Sequence, residues 1–221
     1  MKFDIIEKFT SINGEGLRSG QLSTFIRFKG CNLRCSYCDS AYAYDPAEPS
    51  EVMGEDEIIN YCRKQGAKCV TLAGGEPLYR DGIVELIKTL CREGFSVEIE
   101  TNGSLDIGEI ASIQENRPYI TLDYKTAISG MEAHNKTDNY EYLCKRDSVK
   151  FVVGSTHDLE TARAIAEEYG LTEKANVILS PAYGEIEPAQ IVDYMKRNHL
   201  NGYKMQIQIH KVIWDAERRG V

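Results

Sequence analysis

The sequence has no long apolar stretch. Its opening residues, MKFDIIEKFT, lack the continuous apolar core of a secretory signal. No later segment reaches the roughly 20 apolar residues that a membrane span requires. A cytoplasmic location with no membrane partner is the resulting expectation. A basic excess is also missing: 26 Lys and Arg stand against 34 Asp and Glu, for a formal net charge of -8. Surfaces that coat nucleic acid are normally basic, so no nucleic-acid partner is expected. A small anionic ligand held by a few local Arg and Lys stays possible. Low-complexity segments, long linkers and strong repeats are absent. The seven cysteines, Cys31, Cys35, Cys38, Cys62, Cys69, Cys91 and Cys144, are an odd set without an export signal. That argues against a disulfide framework.

What is present reads as a soluble globular protein of 221 residues, 42% hydrophobic and 27% charged. The length fits one large domain or two small ones, and α/β barrels of this size usually run as one. Apolar or β-branched runs recur at Leu22–Phe28, Lys68–Leu72, Phe95–Glu100, Tyr119–Asp123, Val149–Val153, Asn176–Leu179 and Met205–Ile209, with an extra run at Ile5–Phe9 before them. Helical spacing falls between most of them, at Asp56–Lys64, Gly82–Arg92, Asp158–Tyr169 and Pro188–Arg197, with weaker segments at 106–113 and 138–144. Strands alternating with helices predict βα units, a mostly parallel sheet and a full or partial barrel.

The polar and glycine-rich motifs follow strands. CNLRCSYCDS follows the 22–28 run, GGEP follows 68–72, TNG follows 95–100, DYK closes 119–123, SPAYG follows 176–179 and IHK closes 205–209. The carboxyl ends of parallel strands form the active face of such folds, so chain order alone gathers these segments at one mouth.

Cys31, Cys35 and Cys38 form C-x3-C-x2-C in a loop that leaves a strand. Zinc sites and four-iron clusters both use closely spaced cysteines. Structural zinc usually takes four ligands, and neither a second cysteine pair nor a nearby knuckle histidine stands here. Three cysteines on a four-iron cluster leave one iron open for a cofactor or substrate. Tyr37 offers an aromatic face beside them. The other four cysteines read as small apolar residues.

The spacing C-x3-C-x-aromatic-C is the signature of the radical S-adenosylmethionine (SAM) superfamily. With SINGEG at 11–16, Arg27, CDS at 38–40, GGEP at 74–77, ETNG at 100–103, DYK at 123–125 and the end HKVIWDAERRGV, the chain resembles the 7-carboxy-7-deazaguanine synthase family over residues 11 to 221. The resemblance implies a single domain over 1–221. Its fold would be an α/β partial, open TIM-like barrel of the radical SAM type with about six core strands. The tail from about 210 to 221 would close the active site.

It also implies a [4Fe–4S] cluster, SAM and Mg²⁺ as cofactors. In that chemistry the open iron chelates SAM, and one electron releases a 5′-deoxyadenosyl radical. The radical takes hydrogen from C6 of 6-carboxy-5,6,7,8-tetrahydropterin; the ring contracts, ammonia leaves and SAM is regenerated. Carried onto this sequence, SAM would meet Tyr37, Cys38, Asp39, Gly74, Gly75, Glu76, Thr101, Asn102, Asp123, Tyr124 and Lys125. Glycine at 74 and 75 would let backbone approach the methionyl amine, and Glu76 could hold the strand end. Ser40 would offer Mg²⁺ its hydroxyl, unless it merely caps a helix. The pterin would meet Ile12, Asn13, Gly14, Glu15, Arg27, Ala73, His210 and Val221. Asn13 and Glu15 suit the aminopyrimidine edge, Arg27 suits a carboxylate, and the terminal carboxylate would fold into the pocket. Many relatives carry Thr where this chain has Ala73, so only a backbone contact carries over there. An electron donor of the flavodoxin or ferredoxin type and a homodimer complete the expectation. Two rivals remain at this point: a radical SAM activase of a glycyl radical enzyme, and a metal-stabilised binding module without activity.

Overall fold

One sheet of nine strands runs through the computed structural model, which describes residues 1–221. In chain order the strands are β1 (Lys2–Ile12), β2 (Leu22–Phe28), β3 (Glu51–Gly54), β4 (Cys69–Gly74), β5 (Ser96–Thr101), β6 (Tyr119–Tyr124), β7 (Ser148–Val153), β8 (Asn176–Pro181) and β9 (Tyr203–Met205). Their spatial order is β3-β1-β2-β4-β5-β6-β7-β8-β9. Every neighbouring pair from β2 to β9 is parallel, while β1 runs antiparallel to both β2 and β3. The sheet is open, with β3 and β9 as its edges. Six long parallel strands with a short β9 appended match the expected partial barrel.

Helices cover the outer face. The longer ones are α1 (Glu55–Gln65), α2 (Ile83–Arg92), α4 (Thr156–Glu168) and α6 (Pro188–Arg197); α3 (Gly108–Ala111), α5 (Leu171–Lys174) and α7 (His210–Ile213) are single turns. Helix α2 buries Ile83, Leu86, Ile87, Leu90 and Cys91, the 3-4 spacing of one helical face. Helix α1 carries Glu55, Asp56 and Glu57 in its first turn and Arg63 and Lys64 in its last, both favourable to the helix dipole. It stops at Gly66, whose φ of 74° suits glycine. The Ser155 hydroxyl caps α4 by accepting from the Asp158 amide at 3.2 Å, and Pro188 opens α6.

The parallel strands alternate: Val97 and Ile99 of β5, Ile120 and Leu122 of β6 and Val149 and Phe151 of β7 enter the apolar core, while the residues between them, such as Glu98, Thr121 and Lys150, are polar. The predicted strands recur within one or two residues, except at the first, where β1 extends three residues beyond Ile5–Phe9 at each end, and at the last. Residues 205–209 do not extend a strand, because the Gln206 side chain leaves β9 for Gly16. Its Oε1 accepts from the Gly16 amide at 2.7 Å, and its Nε2 donates to the Gly16 carbonyl at 2.9 Å. The short edge strand β3 carried no alternation and went unread. Cys62, Cys69 and Cys91 are buried as expected, whereas Cys144 is only half-buried.

Asp147, just before β7, is fully buried and holds the β6–β7 connection together. Its carboxylate takes two bonds from Arg117, at 2.9 and 2.7 Å, and accepts from the Ile120 and Cys144 amides at 3.0 and 2.9 Å. Asp147→Ala leaves two amides unpaired and Arg117 without its carboxylate, held only by the Ala111, Pro118 and Tyr142 carbonyls. It is expected to lower the unfolding free energy by about 3 kcal/mol. Urea unfolding followed by circular dichroism measures this, and a loss below about 1 kcal/mol would reduce the pair to the level of a surface contact.

Candidate active site

The strand ends surround a cavity of about 560 Å³. Of the residues singled out from sequence, all but two line it, from Ile12 in β1 to Val221. The exceptions have physical reasons. Tyr124 lies between Asp123 and Lys125, and alternate strand residues face opposite sides. Its ring therefore enters the core, tilted against Phe151 at a centroid distance of 5.1 Å. Glu76 is fully buried beneath the wall. Its Oε1 accepts from the Leu78 amide at 3.0 Å and the Thr101 hydroxyl at 2.8 Å, and its Oε2 accepts from the Asn102 amide at 2.6 Å. It ties the end of β4 to the end of β5, the strand-end role that was one of its two expected uses. Its side chain does not face the cavity.

The cysteine loop leaves β2 and is pinned at three points. The Gly30 amide donates to the Ala43 carbonyl at 2.5 Å, the Glu76 amide to the Gly30 carbonyl at 2.9 Å, and the Ser36 amide to the Ser129 carbonyl at 3.1 Å. Gly75 must be glycine, since a Cβ there would lie 1.9 Å from the Gly30 carbonyl oxygen. The chain's own backbone fills that space, so the glycine serves loop packing before any ligand. Cys31, Cys35 and Cys38 all border the cavity. Burial pushes the Cys35 thiol up, with the charges of Asp123, Cys38 and Cys31 adding to it against Lys125. Burial also raises Cys38. A cationic centre is what would hold those two sulfurs as thiolates. No three His, Cys, Asp or Glu side chains converge on a single-ion position. That is not the tetrahedral arrangement of structural zinc, whereas a four-iron cube takes each sulfur on a different iron. Two buried polar atoms here have no partner, the Tyr37 hydroxyl and Asp123 Oδ1, as a wall built to meet a polar cofactor would leave them. The donor set therefore fits a cluster with SAM beside it.

Next to the cluster loop, the Asn102 amide nitrogen reaches Asn32 Oδ1 at 3.0 Å and the Cys31 sulfur at 3.7 Å. Lys125 Nζ sits 2.9 Å from Asp123 Oδ2 and 5.7 Å from the Tyr37 ring centre. Ser40 precedes a short 3₁₀ turn but makes no side-chain cap bond to it. Its hydroxyl lies 3.3 Å from Asp39 Oδ1 and also hydrogen-bonds the Cys38 sulfur. Burial opposes ionisation of Asp39, but Lys211, Arg27 and the Gln208 amide outweigh it and hold the carboxyl below its ordinary value. Arg27 Nη1 donates to the Tyr42 hydroxyl at 2.9 Å, and that hydroxyl donates to Glu7 at 3.1 Å.

Opposite lies the loop carrying Asn13, Gly14 and Glu15. The C-terminal segment fastens to it through Gln206 on Gly16 and through the Ile209 amide on the Gly14 carbonyl at 3.2 Å. The His210 ring fills the space beside Gly14, where a Cβ would lie 2.1 Å from Nδ1. Burial lowers the His210 pKa against the pull of Glu15 and Asp39, so its imidazole is neutral near pH 7. Further along, Arg219 pairs with Glu48 at 2.8 Å and covers the Tyr42 ring. Sequence reading missed several wall residues, among them Glu100, Lys150, Gln208 and Lys211. Glu100 stood in the quoted ETNG, but Lys150 sat inside an apolar strand run and gave no motif.

Comparison with known proteins agrees with this geometry. The radical SAM superfamily matches residues 25–141. A crystal structure of QueE from Escherichia coli superposes with a TM-score of 0.76 at 21% identity, covering 94% of each chain, and shares the fold. The chain is a radical SAM protein, and membership implies a [4Fe–4S] cluster and SAM. The 7-carboxy-7-deazaguanine synthase of Clostridium acetobutylicum is 50% identical over 222 residues, spanning 100% of both chains. That of Chlorobaculum tepidum is 34% identical over 99% of this chain and 97% of its own. The chain belongs to the 7-carboxy-7-deazaguanine synthase family.

Two predictions follow the geometry of the 13–16 loop. Beneath it Glu98 is buried, accepting from Asn13 Nδ2 and, at 3.3 Å, from Thr121 Oγ1. Burial, then the nearby charge of Glu100, pushes its carboxyl up to about 8. An acid with a raised folded-state pKa stabilises fully below its unfolded pKa and loses that contribution as pH climbs through the folded value. Stability should thus fall as pH rises toward 8, and Glu98→Gln should flatten that fall. Melting temperatures between pH 5 and 9, roughly the window those values define, decide it; parallel curves would sink it. Gly14→Ala should dislodge His210 and raise amide exchange across residues 206–213. Unchanged exchange there would contradict the packing.

Proposed function

We propose that this radical SAM enzyme of deazapurine biosynthesis converts 6-carboxy-5,6,7,8-tetrahydropterin to 7-carboxy-7-deazaguanine with loss of ammonia. One observation carries the reading. The cysteine triad and the polar groups suited to a carboxypterin border a single cavity, of a size ordinary for a cofactor with a small substrate. When bound, the reduced cluster and SAM supply a 5′-deoxyadenosyl radical within that cavity.

The chain's own residues bind and orient. Cys31, Cys35 and Cys38 hold the cluster. Gly74 and Gly75 present backbone groups to the methionyl end of SAM, as does Ala73 toward the substrate. Thr101, Asn102, Asp123 and Lys125 serve the ribose and carboxylate of SAM, and Tyr37, Cys38 and Asp39 flank its adenine. The Ser40 hydroxyl, which caps no helix, takes Mg²⁺, an ion that keeps waters and needs few protein ligands. Ile12, Asn13, Gly14 and Glu15 receive the aminopyrimidine edge. Arg27, kept charged by Tyr42, Glu7 and Asp39 despite burial, pairs with the substrate carboxylate. His210, neutral, and Val221 complete the substrate side. Residues 1–221 form one radical SAM domain, with the tail from about 210 closing it and excluding water.

A cytoplasmic homodimer reduced by a flavodoxin or ferredoxin completes the proposal. No helix is long and apolar enough to cross a membrane. A glycyl radical activase is not favoured: such a protein needs an open groove for its partner, and here the segment through Arg219 lies across the mouth.

The test is anaerobic incubation of reconstituted protein with SAM, dithionite, Mg²⁺ and the carboxytetrahydropterin. A product with the mass of 7-carboxy-7-deazaguanine is expected. Cys38→Ala should lose the brown absorbance and the iron while keeping the wild-type circular dichroism. Absence of that product from iron-loaded wild type, or zinc in place of iron, would overturn the reading.

A further inference from the structure

Lys150 is the one ammonium that touches both sides of the cavity. It stands in β7 as the register partner of Asp123 in β6. Its side chain is 9% exposed, and its Nζ lies 3.0 Å from Glu15 Oε2 and 3.8 Å from Asp123 Oδ2. Glu15 belongs to the loop read as holding the pterin, and Asp123 to the strand end read as holding SAM. We propose that Lys150 is a positioning residue that sets these two acids, and through them substrate and cofactor, at a fixed distance from one another. The inference rests on the functional reading above for the identity of the two ligands.

The hydrogen bonding around Asp123 is lopsided. Lys125 at 2.9 Å and Lys150 at 3.8 Å both lie on Oδ2, while Oδ1 is buried with no partner. Two ammonium groups on one oxygen orient the carboxylate and leave the other oxygen to accept from a ligand hydroxyl. Glu15 is likewise engaged through Oε2 alone. The groups that face Lys150 are Glu15 from the β1–β2 loop, Asp123 and Lys125 from the end of β6, Glu100 from β5, and Tyr37 and Asp39 from the cysteine loop. Four carboxylates thus share this ammonium, with Glu15 and Asp123 nearest. With a neutral side chain at 150, Glu15 and Glu100 would be left close together in a buried site, where like charges cannot all stay ionised. Proton uptake would turn an acceptor into a donor on the substrate side. Loss of its second ammonium would free the Asp123 carboxylate to rotate on the cofactor side.

The experiment uses anaerobically reconstituted holoenzyme. SAM affinity is measured by equilibrium dialysis without reductant, and KM and kcat by turnover of the carboxytetrahydropterin. Lys150→Met is expected to raise the SAM Kd and the pterin KM by roughly tenfold each, with kcat falling less, the size of a coupling between residues of one charge network. Lys150→Arg, which keeps the charge, should bring both back to within about threefold of wild type. In a cycle with Glu15→Gln, the double variant should have a pterin KM no worse than the worse single variant, the sign of a shared interaction. Three results would each overturn the inference: a Lys150→Met effect on one ligand only, no rescue by Lys150→Arg at unchanged melting temperature, or full additivity with Glu15→Gln. Failure of the wild type to convert the pterin would instead overturn the functional reading. Lys150 would then be judged on SAM affinity, in a cycle with Asp123→Asn.

Discussion

Sheet register is the constraint on which the site depends. The parallel strands end in charged side chains with little solvent to turn to, and their alignment supplies partners. Asp123 lies opposite Lys150, and Arg27 lies opposite Glu7. Side chains alternate across a sheet, so a slip of one residue in β6 would send Asp123 into the helical layer and bring Tyr124 into the cavity. Such a slip would bury a carboxylate among apolar groups, which costs several kcal/mol. Buried pairs of this kind add little net stability over apolar packing, but breaking one is expensive. They therefore act as register keys, and the same residues form the cavity wall.

A second layer of contacts holds the cysteine loop against those strand ends. Glu76 spends its carboxylate entirely on Leu78, Thr101 and Asn102, and its backbone amide binds Gly30. Gly75 gives up its side chain so that this approach can happen. The GGEP segment is thus a bracket between the cysteine loop and β5. Its glycines present backbone to the cavity because the packing behind them leaves backbone as the only group that fits.

The sequence made some of this legible and some not, for identifiable reasons. The triad and the strand-end motifs were readable because each carries its chemistry in consecutive residues and each follows a strand. The fold class followed from alternating strand and helix patterns. Tyr124 was misjudged because a motif was taken whole, although the two-residue period of a strand sends its middle member to the other face. Lys150 was invisible because its partners are at 15 and 123, and only the β6–β7 register joins them. The end of β9 was misplaced because Met205, Ile207 and Ile209 alternate with polar residues as in a strand, while Gln206 answers to a backbone 190 residues away.

That long-range pairing shows how an open sheet can still enclose a cavity. A closed barrel would pair its last strand with its first, and here β9 and β3 remain edges. The chain after β9 crosses the gap instead. Gln206 bonds Gly16, the Ile209 amide bonds Gly14, Gln208 and Lys211 meet Asp39 at 3.3 and 3.5 Å, and Arg219 meets Glu48 and Tyr42. Each contact joins residues 206–221 to the first quarter of the chain, across the mouth that a full barrel would have sealed. Side-chain hydrogen bonds and ion pairs open more cheaply than a strand ladder, because they release singly and their groups return to water. A seam of this type can part to admit a substrate and close behind it, which continuous strand pairing would forbid. The Tyr42 hydroxyl lies within this seam and binds Arg27 directly, so closure at Arg219 and orientation of the cavity guanidinium share one aromatic ring.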